Sequence, residues 1–124
     1  ETTKQLHLFA ERLSNQVEKL SSDKRQKLHL AAVMSQNFSN HLFALTQAYL
    51  EKEAISFQAL IPLLEDGLNN ALHQNAKETQ SGPARRKDTK TLDIHLSLLK
   101  EEKRLLPLYK QLSESIKTYY EEDL

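Results

Sequence analysis

The feature that most restricts the fold of this chain is the stretch from Asp23 to about Leu50, which holds helical periodicity without a single glycine or proline. Leu28, Ala32, Phe38, Leu42, Leu45 and Tyr49 recur on one side at the three- and four-residue spacing of an α-helix. Leu30, Val33, Met34, Ala44 and Ala48 fall on other sides, so most of the circumference calls for burial. Asp23, with Gln26 at the third helical position, resembles a capping box that opens this element. A helix of roughly 27 residues is about 40 Å long, more than the core of one small domain requires. The surplus apolar surface predicts a partner, and two-fold pairing of this helix in a homodimer is the expected form.

The rest of the chain reads as shorter helices. Of its 124 residues only two are glycine and three proline, which favours long uninterrupted turns. Leu6, Phe9, Ala10 and Leu13 predict an amphipathic helix over Thr3–Leu13. Gln16 to Leu20 is read as a short edge strand. Ile55 before an N-capping Ser56 predicts a hydrophobic staple onto Leu60, with Phe57, Ile61, Leu64, Leu68 and Leu72 continuing a helix that Pro62 should bend. Gln74 to Lys87 is read as a polar loop, long enough to be functional. Asp88 is placed as the cap of a helix with Leu92, Leu96 and Leu99 inward, and Leu108, Leu112, Ile116 and Tyr119 as the buried side of a last helix from Pro107. The expected fold is therefore all-α, a bundle around one long central helix.

Charge and composition exclude several classes of function. Seventeen basic side chains balance seventeen acidic ones, so no overall field attracts nucleic acid. No apolar run approaches the roughly 20 residues needed to cross a bilayer. The absence of cysteine removes disulfides, thiolate metal sites and cysteine nucleophiles, and fits a cytoplasmic setting. The five histidines include no pair at the four-residue spacing that sets two imidazoles on one helical face, so no metal site is expected. The two glycines lie too far apart to form a dinucleotide-binding turn, and no cofactor site is expected within the chain.

Two places carry polar chemistry. In the central helix His29, Asn37, Asn40 and His41 interrupt apolar surroundings, and the 29, 33, 37 spacing projects His29 and Asn37 along one side; they either face a cleft or serve as an exposed histidine and a structural amide bonded to a neighbouring helix. In the loop, Ser81-Gly82-Pro83 precedes Arg85, Arg86, Lys87 and Asp88. Arg85 or Arg86 can grip a carboxylate or phosphate through its planar fork, or the run is a solvated basic loop.

The segments KLHLAAVMSQNFSNHLFAL, ALIPLLEDGLNNAL, SGPARRKDTKTLDIHLSLL and LPLYKQLSESI resemble, in order and spacing, the C-terminal domain (domain of unknown function 2520) of Rossmann-like NAD(P)-dependent oxidoreductases. That domain is related to the helical domains of 6-phosphogluconate dehydrogenase, pyrroline-5-carboxylate reductase and ketopantoate reductase. The resemblance places His29 and Asn37 in catalytic positions and Ser81, Arg86, Asp88 and His95 in substrate-binding ones, with Gly82, Pro83 and Thr91 also at family positions; Asn40, a polar residue of the same long helix, is grouped with the substrate-binding residues. Ser81 stands where the family usually has Thr, and Lys87 where Gly is common. It further implies that NAD or NADP is held by a Rossmann domain outside this chain, of which residues 1–22 are the tail, and that residues 23–124 dimerise and close over a small-molecule substrate. The chain opens on Glu1, not Met, so a preceding segment is expected and the chain alone is expected to be inactive. The competing reading is a stand-alone helical module that binds another protein.

Overall fold

The computed structural model describes residues 20–122, together with Lys4, Leu8, Arg12 and Ser14. Every regular element among the described residues is helical, so the chain is all-α. Lys4, Leu8, Arg12 and Ser14 are helical and exposed; the rest of the helix expected over Thr3–Leu13 lies outside the described residues. So does the expected strand, apart from Leu20, which forms a bend. The chain divides into two compact units, Glu1–Ala54 and Ile55–Leu124.

In the first unit the long helix is present as α1 (Ser22–Ala32), a π-helical turn (Val33–Asn37) and α2 (Phe38–Lys52) in direct succession. Its cap is Ser21 and not Asp23: the Ser21 hydroxyl accepts the Lys24 N–H at 3.3 Å, and Asp23 instead pairs with Lys27 one turn on, at 3.0 Å. The shorter serine side chain sits one step outside the helix, where capping geometry requires it. In the π-turn the Phe38 N–H reaches back five residues to the Val33 carbonyl. The Ser35 and Ser39 hydroxyls each donate to a carbonyl four residues earlier at 2.7 Å, beside the altered bond.

The extra residue in that turn changes which positions align. From Leu30 to Leu42 an unbroken α-helix drifts by about 120°, and one inserted residue removes about 100° of it. Leu30, Met34 and Phe38 therefore run into the line of Leu42, Leu45 and Tyr49. The later three are half-buried, whereas Leu30, Met34 and Phe38 are 61%, 58% and 52% exposed. The expected stripe is corrected accordingly. Leu28 leaves it because the inserted residue turns everything beyond Asn37 away from it, and Ala32 is exposed.

The second unit opens on Ser56, whose hydroxyl accepts the Gln58 N–H at 3.2 Å. A tight 3-10 turn, Phe57–Leu60, follows and leads into α3 (Ile61–His73). Ile55 stays exposed, since three residues per turn move Leu60 away from the position a staple assumes. Pro62 does not fall in the interior of the helix. It lies in the first turn of α3, where no N–H is needed and its fixed φ suits the helix.

Residues 83–86 of the expected loop fold into a short helix, α4 (Pro83–Arg86), followed by α5 (Thr89–Leu98) and α6 (Leu105–Glu121). Helix α4 packs on both α5 and α6. Ala84 and Leu92 are the buried residues there, and Leu96 and Leu99 are half-buried. On α6 the expected Leu108 and Ile116 are half-buried, but the rest of the inward side differs from the expected one. Tyr109, Ser113, Ile116 and Tyr120 are sheltered, while Leu112 and Tyr119 are exposed. Ser113 and Lys117 occupy sheltered positions, so apolarity alone misplaces the face; Lys117 can pack its aliphatic stem and keep its charge in water.

Candidate polar site in the second unit

Gly82 starts the site. Its φ of 105° and ψ of 166° are open essentially to glycine alone, and they turn the chain into Pro83 at the head of α4. Helix α4 closes by two reversed bonds, Asp88 N–H to the Pro83 carbonyl at 2.9 Å and Lys87 N–H to the Ala84 carbonyl at 3.4 Å. Together they form the Schellman arrangement, with Lys87 in the left-handed conformation at φ 58°. That position costs a residue bearing a Cβ about 1 kcal/mol.

Asp88 thus ends one helix and begins the next. One carboxylate oxygen accepts the Thr91 N–H at 3.1 Å and the other accepts the Thr91 hydroxyl at 2.7 Å. These bonds to the ionised form hold Asp88 below its ordinary value, against a small opposing effect of desolvation and with help from the Arg86 and His95 charges. Arg86 faces the same carboxylate at 4.0 Å, with a largely exposed guanidinium. One turn beyond Thr91, half-buried His95 places Nδ1 2.7 Å from the Tyr109 hydroxyl of α6, the two rings edge to face with centroids 5.6 Å apart. Burial pushes the Tyr109 phenol up. Protonated at neutral pH, Tyr109 can donate to Nδ1, and the imidazole proton then sits on Nε2.

The structure therefore brings Arg86 and Asp88 together with Thr91, and places His95, paired with Tyr109, one turn further along α5. Ser81 is exposed beside them in sequence, its carbonyl accepting the Gln80 amide at 3.0 Å. Tyr109 was not singled out from sequence. Its only signal was membership of the LPLYKQLSESI segment, because a contact fourteen residues away depends on how α5 and α6 pack. In the first unit His29, Asn37 and Asn40 are all exposed. The π-turn sets His29 and Asn37 within about 20° of one line along the helix, where a regular α-helix would part them by about 80°. Asn40 lies about 60° round from Asn37. Among the described residues no three His, Asp or Glu side chains are grouped to hold a metal ion. No helix among them is long and apolar enough to cross a membrane.

An all-α chain with a polar cluster at a helix–helix junction defines a helical domain with a candidate binding site. Residues 1–116 match the family described as Domain of unknown function (DUF2520), and the chain belongs to that family. It is also similar to the crystal structure of a "putative NADP oxidoreductase BF3122 from Bacteroides fragilis", at 35% identity and a TM-score of 0.76 over 80% of this chain. The chain spans 38% of the length of that protein. No curated protein matches it.

Proposed function

We propose that this chain is the helical domain of an NADP-dependent oxidoreductase, in which it pairs with a second copy and orients a small substrate for reduction by a cofactor held elsewhere. The observation that carries the reading is the 35% identity and common fold with the Bacteroides NADP oxidoreductase. The residues of this chain do not fit the dinucleotide itself. Gly67 lies inside α3 and Gly82 heads a four-residue helix, so no glycine turn between a strand and a helix is available to cradle a pyrophosphate. The role left to the chain is geometry and proton handling.

In this reading Arg86, oriented by Asp88, grips an anionic or carbonyl-bearing group of the substrate. His95 is positioned by Tyr109 to present Nε2–H as a hydrogen-bond donor. In the first unit the exposed Asn37, His29 and Asn40 are assigned by themselves as candidate polar contacts of the long helix, and in the second unit exposed Ser81 as one beside Arg86 in sequence. The exposed line of Leu30, Met34 and Phe38 supports pairing between copies, because three large side chains in water gain on association. A stand-alone interaction module would use the same line, and the gene separates the two: an upstream strand–turn–helix with Gly-x-Gly-x-x-Gly supports the oxidoreductase.

The test uses the full protein encoded by the gene. Arg86→Ala, His95→Gln and Tyr109→Phe should each lower turnover at least tenfold while leaving the circular dichroism spectrum and melting temperature within a few degrees of the parent. Tyr109→Phe should also move the pH profile of the rate, which a packing role would leave in place. Normal kinetics in Arg86→Ala would refute the assignment.

A further inference from the structure

The basic run Arg85-Arg86-Lys87 divides between two places. Arg86 faces Asp88, whereas Arg85 and Lys87 line a separate cleft with Lys117, Tyr120 and Glu121 of α6. The cleft offers about 110 Å³. A water molecule needs about 10–15 Å³ of such space, so the four oxygens of a phosphate group fit.

Three cations surround this space against one carboxylate, that of Glu121. The arrangement is held from behind. Arg85 lies over the Tyr120 ring at 4.2 Å, and the Tyr120 hydroxyl donates to the Lys77 carbonyl. Stacking orients the planar guanidinium while leaving its N–H edge free to donate. Buried Ala84 and the Schellman closure fix the backbone between Arg85 and Lys87. None of the cleft residues belongs to the Arg86–Asp88–His95–Tyr109 cluster, so the inference stands apart from the proposed reaction.

We propose that this cleft binds a doubly charged phosphoryl group. A single carboxylate carries one charge, whereas a phosphate monoester or free phosphate carries about −1.5 to −2 at neutral pH and more acceptor oxygens. The planar fork of Arg85 grips two of them while Lys87 and Lys117 supply point charges. Glu121 opposes the anion and sets its affinity below what the cations alone would give.

The test is an NMR titration of the chain at constant ionic strength with inorganic phosphate, glycerol 3-phosphate, acetate and chloride. Saturable shifts at Arg85, Lys87, Lys117 and Tyr120 are expected with both phosphates. Lys117→Gln should weaken binding about fivefold and Glu121→Gln should strengthen it about twofold or more. Tighter binding of glycerol 3-phosphate assigns the cleft to phosphate esters, and tighter binding of inorganic phosphate to the free ion; either supports the site. Shifts no larger than those with chloride, acetate binding as tightly as phosphate, or insensitivity to both substitutions would overturn it.

Discussion

The two glycines give opposite predictions from one substitution. An added Cβ meets no atom within 4 Å at either Gly67 or Gly82, so packing predicts the same mild result for both. Backbone conformation separates them. Gly67 is helical within α3, and Gly67→Ala should stabilise by roughly 0.5–1 kcal/mol because alanine loses less freedom on entering a helix. Gly82 has φ 105°, where an L side chain costs about 1–3 kcal/mol. The more restricted unfolded chain of the alanine variant offsets less than 1 kcal/mol of that. Gly82→Ala should therefore destabilise by about 1–2 kcal/mol. Urea denaturation followed at 222 nm should separate the two midpoints by about 1 M or more. Equal shifts, or a Gly82→Ala variant as stable as the parent, would refute the claim that backbone geometry at Gly82 sets the turn into α4 and Asp88.

Acid should act through Asp88. Its carboxyl is held below its ordinary value of 3.8, so its contribution to stability is complete above the unfolded-state value and is lost as pH falls through the lower folded-state one. Asp88→Asn should flatten that acid limb in melts between pH 5 and pH 2, and an unchanged limb would remove Asp88 as its source. Leu92, 6% exposed, should cost about 2–4 kcal/mol as Leu92→Ala, measured by the same urea titration. Pairing through the long helix predicts a mass near twice 14.3 kDa by light scattering at micromolar concentration. Met34→Glu should return it to one chain mass, and a parent already at 14.3 kDa would end the dimer proposal.

The sequence was informative where local chemistry decides and silent where packing does. Ser56 and Asp88 could be placed as caps because a cap needs only its own side chain and the next few N–H groups. The helical class and the inward Leu92 followed from spacing. The π-turn at Val33–Asn37 did not, since it rests on one shifted backbone bond that no residue type requires. It realigned the apolar line and brought His29 and Asn37 toward one side. Pro62 departs from the expectation because its effect depends on whether it falls in the first turn or the interior. On α6 spacing places Leu108 and Ile116 but not Leu112 and Tyr119, because Lys117 shelters despite its charge. Of the candidate site, Arg86, Asp88 and His95 were legible from motif and resemblance, whereas Tyr109 becomes visible only once α5 and α6 are packed.

The central claim is a division of labour, with substrate geometry in this chain and the nucleotide held elsewhere in the protein. Calorimetric titration with NADPH tests it most directly, run in parallel on the 124-residue chain and on the full protein encoded by its gene. Micromolar binding to the full protein and no measurable heat with the chain alone are expected. Micromolar binding to the chain alone, or no binding to the full protein, would contradict it.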